Sequence, residues 1–131
     1  MLSIERFAAE LHAFAGTVSG AERSAARVCL ADALACAATG VSALAHTAAA
    51  AALSDLDGCG DTRPATVWFT GARAGVLAAA YLNSVAVSAH DLDDGHRGAI
   101  GRPGGAVMPA VLAELESTGS AVNALDAIAF G

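Results

Sequence analysis

The sequence of 131 residues contains no lysine, so its seven basic residues are all arginines, and they face thirteen acidic residues. The formal net charge is −6. This balance argues against a surface for nucleic acid or an anionic membrane, because phosphate-rich partners need a basic patch. It does not exclude an anionic substrate, since two or three local arginines are enough to bind a carboxylate.

Aromatic residues make up 5% of the chain, and there are only three prolines. The β-branched and aromatic residues are too sparse for several strands. The apolar fraction is 55%, and much of it is alanine, which fills the space between closely packed helices. We therefore expect an all-α fold, a compact bundle of about six helices that forms a single domain over residues 1–131.

The chain also lacks an apolar run suited to a secretion signal or a membrane span. Its first sixteen residues carry charges, and the apolar stretch 74–89 is interrupted by Asn83. Three cysteines are present without CxxC spacing, and Cys29 and Cys36 fall on one face of a predicted helix, where cysteine packs as a small hydrophobe. We expect a cytoplasmic protein, with no metal and no cofactor.

Capping patterns and glycines divide the chain into helices. A first helix is predicted between Ser3 and Gly16. Ser19 and Glu22 form a capping-box pattern for the second helix, which Gly40 is expected to end. Residues 66–70 are predicted as a short extended piece, and the remaining helices are expected at 42–53, 72–88, 106–117 and 120–129.

One loop, residues 90–105, is unusually charged for this sequence. Six ionisable residues fall within a dozen positions: Asp91, Asp93, Asp94, His96, Arg97 and Arg102. Crowded carboxylates can be tuned as proton donors or acceptors near neutral pH, and arginines beside them can hold a substrate carboxylate. The alternative is structural: the aspartates cap the next helical turn and pair with Arg97 and Arg102 at the surface.

This segment resembles the signature of the MmgE/PrpD family. The family pattern has Asn-Gly or Asn-Ser in a helix, then LDxDD, His-Pro-Gly and a Val-x-Pro-Ala helix that ends in Glu. A further stretch of the family, D-x-x-G-C-x-x-x-G, resembles residues 32–40. The residues that match the main pattern are Asn83-Ser84, Asp91 to Asp94, Pro103-Gly104, Val107 to Ala110 and Glu116.

The resemblance implies a helical N-terminal domain that a smaller α/β domain follows, with the active site between them. The family's reactions are dehydration, decarboxylation or epimerisation of small di- and tricarboxylates, without an obligatory metal. By resemblance Asp91 contributes to the active site, whereas Asp93 and Asp94 shape the loop. Asp94 is also taken as a candidate substrate-binding residue.

The expected C-terminal domain, with its cationic substrate-binding residues, is absent from this sequence, and substitutions within the motif also change the expected roles. Arg102 stands where the histidine of His-Pro-Gly is usual, and an arginine cannot readily exchange a proton. We therefore expect Asp91 and His96 to be the catalytic pair, and Arg97 and Arg102 to anchor substrate carboxylates. Gly95 also replaces a usual threonine, which removes a hydroxyl contact.

Two functions follow as the main hypotheses. The first is a lyase that resembles 2-methylcitrate dehydratase, alone or as one part of a split enzyme, with a small carboxylate as substrate. The second is a non-catalytic truncated homologue that forms homo-oligomers or binds a complementary C-terminal-domain subunit. We expect truncation because the last helical pattern stops at Phe130 and Gly131 without a capping sequence. A third hypothesis is that the helical domain binds or cyclises an unrelated small molecule.

Overall fold

The structure is a computed structural model that describes residues 13, 17–54, 63–93, 95, 98, 100–120 and 123–130. These residues form five helices and one small sheet. In chain order they are α1 (Gly20–Gly40), α2 (Leu44–Ser54), β1 (Pro64–Val67), β2 (Ala72–Gly75), α3 (Val76–Ser88), α4 (Pro103–Thr118) and α5 (Ala124–Phe130). The mostly helical class is confirmed, but a bundle of six helices is not. The predicted helix between Ser3 and Gly16 lies almost wholly outside the described residues.

The capping box predicted for α1 is present. The Ser19 hydroxyl accepts a hydrogen bond from the Glu22 amide at 3.3 Å, and the Glu22 carboxylate accepts one from the Ser19 amide at 2.6 Å. Two amides that the first turn would leave unpaired are therefore satisfied. Cys36 is buried in the core and Cys29 packs against it, as expected of cysteines on the inner face of this helix.

Helix α1 ends at Gly40 as predicted, but Gly40 is not the left-handed cap that such a glycine usually provides. The residue after it, Val41, keeps right-handed helical angles, so no left-handed cap forms there. Instead, a β-carbon added to Gly40 would lie 1.8 Å from the backbone oxygen of Ala86. Glycine is needed at this position because the backbones of α1 and α3 meet there.

The predicted helix 72–88 begins four residues later than expected. Residues Ala72–Gly75 form β2, which pairs antiparallel with β1 so that Thr66 faces Arg73. The turn between the strands contains Phe69 and Gly71, both with positive φ, at 60° and 75°. This turn folds the chain back onto β1, so the hairpin forms even though Ala72–Gly75 has little intrinsic strand propensity. The extended piece expected at residues 66–70 is confirmed only at its start.

Helix α3 lies at the centre of the fold. It packs against α1, α2, α4 and both strands. One core cluster joins it to α1, α4 and α5 through Ala86 and Val87, and a second joins it to α4 and the hairpin through Ala79 and Leu82. The end of α3 is therefore well fixed where the charged loop leaves it at Ser88.

Helix α4 starts three residues earlier than predicted. Pro103 occupies its first turn, a position where the missing amide hydrogen of proline is tolerated, and Arg102 becomes the N-cap residue. The helix continues through Pro109 and ends at Gly119, whose φ of 62° is the left-handed conformation that favours glycine. The charged loop is thus held between the end of α3 and the beginning of α4.

Within the described ranges, no single helix is long and apolar enough to cross a membrane. Helices α1 and α2 pass that test of length and composition only as a pair, which is bent by 85° at the break between them.

Candidate functional site

Arg102 joins two aspartates of the charged loop. Its Nη1 atom lies 2.6 Å from Oδ1 of Asp91 and 2.8 Å from Oδ1 of Asp93. The Arg102 side chain is about one-third exposed, and the two aspartate side chains differ sharply in their exposure to solvent. The Asp93 side chain is 1% exposed and the Asp91 side chain is 85% exposed. One aspartate is therefore enclosed by protein, and the other faces solvent beside the same cation.

Asp93 is enclosed at the junction of α3 and α4. Its Oδ2 atom accepts a weak hydrogen bond from the Ser88 hydroxyl at 3.4 Å. A β-carbon added to Gly105 would lie 3.1 Å from that Oδ2 atom and 2.8 Å from the Ser88 oxygen. Because residue 105 is glycine and has no side chain, there is room for the Asp93 carboxylate at this point. The first turn of α4 also favours a negative charge because its amide groups carry partial positive charge.

Asp91 is held in an unusual backbone conformation. Its φ is 60°, a left-handed value that aspartate tolerates better than most residues. The Asp91 amide donates to the Ser88 carbonyl at 3.2 Å, which closes the turn after α3. The turn projects the carboxylate into solvent while the contact with Arg102 keeps it beside the cation.

The two carboxylates strengthen the positive charge on Arg102. The hydrogen bond to Asp93 is the largest cause that raises the pKa of Arg102, partial burial opposes it, and attraction to Asp91 adds to it. The guanidinium therefore stays protonated at any pH at which the protein is folded. It can bind and neutralise an anion, but it cannot supply the proton transfer expected of the histidine it replaces.

The described residues do not engage every donor of the guanidinium. The two aspartates engage Nη1, and among the described residues neither Nε nor Nη2 of Arg102 makes a hydrogen bond. A guanidinium has about five N–H groups, of which about three are on these two atoms. The site can thus bind a further carboxylate through two N–H groups without losing the buried contact with Asp93.

The sequence-predicted site residues are brought together only in part. Asp91 and Arg102 are in direct contact, as a joint catalytic and substrate-binding role requires. Asp94, His96 and Arg97 lie outside the described residues. The pairing of the aspartates with Arg102 matches one part of the structural alternative. Asp93 is buried instead of lying at the surface, however, and no side chain of the described residues caps α4.

The roles of two other motif residues could not be predicted from the sequence. Asn83, 1% exposed, accepts a hydrogen bond from the Trp68 amide at 2.8 Å and donates one to the Thr66 carbonyl at 3.0 Å. Glu116 accepts hydrogen bonds from the amide and hydroxyl of Thr66, both at 2.8 Å. Both side chains therefore form hydrogen bonds with backbone groups at the outer edge of β1 and just after it. The one feature of the sequence that signals such a role is the amide side chain of Asn83 within an otherwise apolar helix.

Two further histidines lie among the described residues. His90 is exposed, and its Nε2 atom is 3.4 Å from the Thr39 carbonyl oxygen. His46 is buried in α2.

A cavity of about 220 Å³ lies beside the first turn of α4, the turn that directly follows Arg102 in the sequence. Its walls are mostly apolar, with Cys29, Val107 and Met108 among them. Among the described residues that line it, only Glu22 is charged, and its carboxylate caps α1. These residues offer no cation to a carboxylate substrate, so they do not extend the anion site.

Comparison with known proteins identifies the family. The family model for the MmgE/PrpD N-terminal domain matches residues 4–131. The chain belongs to the MmgE/PrpD family. No curated protein and no solved structure matches it. Within this MmgE/PrpD domain, the loop between α3 and α4 is the segment that carries the family's acidic motif, and it is the segment in which Arg102 binds both aspartates.

Proposed function

We propose that this chain supplies the helical side of a lyase active site of the MmgE/PrpD type. Its substrate is a small di- or tricarboxylate, and the reaction is a dehydration, a decarboxylation or an epimerisation next to a carboxylate. The observation that carries the proposal is the arrangement at Arg102. A permanently charged guanidinium is anchored by a buried aspartate, has donors that no described residue engages and lies beside a solvent-facing aspartate.

In this proposal Arg102 binds a substrate carboxylate. Because Asp93 fixes one edge of the guanidinium, the other edge is pre-oriented, and less side-chain freedom is lost when substrate binds. The same positive charge stabilises the negative charge that develops when a proton leaves a carbon next to the bound carboxylate. Arg97, placed near this site by sequence alone, is the proposed second anchor, and Asp94 contributes to substrate binding.

Asp91 is the proposed proton acceptor. Its carboxylate is accessible and lies in contact with the cation that would hold the substrate, so the reacting carbon can come within reach. A substrate carboxylate that binds Arg102 also competes with Asp91 for the guanidinium. His96 is the proposed partner that returns the proton.

The test compares matched variants on citrate-like acids. The protein is purified from its native cells together with any associated polypeptide, since the family resemblance implies that a second domain closes the site. Asp91→Asn should lower turnover by about 100-fold or more while the fold is kept, the typical contribution of a proton-transfer group. Arg102→Gln should weaken substrate binding. Glu114→Gln, which changes an exposed carboxylate paired with Arg63, is the control. Normal turnover in Asp91→Asn would contradict the proposal.

The second candidate function is a non-catalytic subunit that binds a partner or a second copy. The observation in its favour is the apolar rim of the charged loop, where Leu92 is 68% exposed and Ile100 is 93% exposed. Ile100 also has a φ of 50°, which is strained for a β-branched residue. A protein that binds citrate-like acids but never turns them over, with or without its native partner, would favour this function over the lyase.

A further inference from the structure

Asp91 and Asp93 share one cation. Among the described residues, Arg102 is the only basic residue that forms an ion pair with either carboxylate. The three side chains therefore hold two negative charges against one positive charge. A third carboxylate that approaches Arg102 meets this excess of negative charge, because like charges repel one another strongly at such short distances. Anion binding is therefore favoured when one of the two aspartates gives way.

Exposure to solvent decides which aspartate gives way. The Asp93 side chain is almost fully buried, and its carboxylate also accepts a hydrogen bond from the Ser88 hydroxyl. Separating Asp93 from Arg102 would leave a buried charge without its cation, which is strongly unfavourable. The Asp91 side chain is exposed, so water solvates its carboxylate as soon as the contact with Arg102 opens. Asp91 is therefore the group that an anion can displace.

The backbone of Asp91 allows this displacement without a change of the turn. The hydrogen bond from the Asp91 amide to the Ser88 carbonyl fixes the main chain. It involves no side-chain atom of Asp91, so the carboxylate can leave Arg102 by rotation about side-chain bonds alone. The left-handed φ of Asp91, which aspartate tolerates, can stay as it is. Release of the carboxylate is thus a local side-chain event.

We infer that Asp91 is an autoinhibitory group of the anion site. In the free protein its carboxylate occupies Arg102, and a small polycarboxylate displaces it on binding. The affinity of the site is accordingly lower than Arg102 would provide without Asp91. The inference rests on the proposed function for the chemical class of the anion, and it adds a consequence for that function. The proposed proton acceptor leaves the cation only when substrate is bound.

The first experiment measures the binding of tricarballylate, a tricarboxylate without the hydroxyl group that a dehydration removes. The protein is purified from its native cells with any associated polypeptide, and calorimetry gives the affinities. Asp91→Asn should bind tricarballylate about two- to fivefold more tightly than the wild type, because no exposed ion pair has to open. Arg102→Gln should bind it about tenfold more weakly, since charge-assisted hydrogen bonds are lost. Glu114→Gln removes an exposed negative charge that is paired with Arg63 and should bind like the wild type.

Asp91→Gly is the second variant, and it keeps the test valid if Asp91→Asn does not fold. Glycine accepts the same left-handed backbone and removes the carboxylate altogether. Its affinity for tricarballylate should rise at least as much as that of Asp91→Asn, because the asparagine oxygen can still accept from Arg102. Unchanged or weaker binding in the Asp91 variants, or no binding by any of the proteins, would overturn the inference.

A second experiment observes the release directly. The carboxyl carbons of the wild type are followed by ¹³C NMR during a titration with tricarballylate, and Asp91→Asn and Asp93→Asn assign the two signals. The Asp91 signal should move as the site fills, and the Asp93 signal should stay in place. A moving Asp93 signal with a stationary Asp91 signal would overturn the inference.

Turnover of citrate-like acids by the same preparations separates this inference from the proposed function. Tighter binding of tricarballylate with normal turnover in Asp91→Asn would support the autoinhibitory role and contradict Asp91 as the proton acceptor. Lost turnover with unchanged or weaker binding would support the proton acceptor and overturn the autoinhibitory role.

Discussion

Nη1 of Arg102 lies 2.8 Å from Oδ1 of Asp93, and this contact fixes the charged loop to the first turn of α4. Arg102 is the N-cap residue of α4, so one side chain connects the loop, the helix and the exposed Asp91. The two aspartates of this ion cluster thereby have different tasks. Asp93 is enclosed and maintains the geometry, whereas Asp91 faces solvent and is the residue that acts on the substrate in the proposed function.

This division of tasks predicts different effects on stability from the same substitution. Asp93→Asn removes a buried charge that is hydrogen-bonded to Arg102, and should lower the free energy of unfolding by about 1–3 kcal/mol. Asp91→Asn changes an exposed group and keeps a residue type that tolerates a left-handed backbone. Its effect should be smaller than about 0.5 kcal/mol. Urea unfolding at neutral pH measures both.

A double-mutant cycle with Arg102→Gln is the control for that prediction. If Asp93 acts through Arg102, the combined variant should be less destabilised than the sum of the single variants. The prediction fails if the effects of Asp93→Asn and Arg102→Gln on the free energy of unfolding are strictly additive. It also fails if Asp91→Asn and Asp93→Asn destabilise the protein equally, because Arg102 would then not distinguish the two aspartates.

The contact between α1 and α3 gives a second prediction. In Gly40→Ala the added methyl group would overlap the Ala86 carbonyl oxygen, so the two helices must move apart. We expect destabilisation of about 2 kcal/mol or more, as for other overpacked sites. Thermal and urea unfolding both report this change.

Gly20→Ala is the matched control, because a β-carbon at Gly20 meets no atom within 4 Å. Gly20 begins α1, and alanine has the higher helix propensity, so this variant should be as stable as the wild type or slightly more stable. A similar loss of stability in both variants would mean that helix propensity or chain entropy, and not the approach of α3, explains the effect at Gly40.

Local signals in the sequence predicted several features correctly. The capping box at Ser19 and Glu22 depends on residues three apart, so it can be recognised without tertiary structure. The charged loop could be recognised as one segment because its ionisable residues are close in sequence. Asp91 and Arg102 are eleven positions apart, and a single loop brings them together.

Features that depend on distant contacts could not be predicted. The segment Ala72–Gly75 has the composition of a helix, yet it forms a strand because β1 is beside it. Asn83 and Glu116 lie on different helices, and both bond to Thr66 of β1. The amide of Asn83 within an apolar helix is the one local signal for such a role, and it does not indicate which strand the side chain contacts. The burial of Asp93 likewise depends on the approach of Gly105 from α4.

The ion pair that joins α5 to α1 gives a prediction for pH. Arg23 binds Asp126 through two hydrogen bonds, one from Nε to Oδ1 and one from Nη2 to Oδ2 at 3.1 Å. The hydrogen bond from Arg23 lowers the pKa of Asp126 below its ordinary value of 3.8, and the charge of Arg23 adds to this effect. The pair therefore contributes its full stability above pH 3.8. That contribution is lost as the pH falls through the lower pKa of the folded state.

Asp126→Asn should consequently be less stable than the wild type near pH 7. The difference in free energy of unfolding should stay constant down to about pH 5 and shrink as the pH approaches and passes the pKa values of the carboxylate. Arg23→Gln should show the same dependence, since it removes the other partner, and the double variant should add little. Urea unfolding between pH 7 and pH 2 measures these differences. A difference that stays constant over the whole range would show that Asp126 has the same pKa folded and unfolded, and that its carboxylate gains nothing from Arg23.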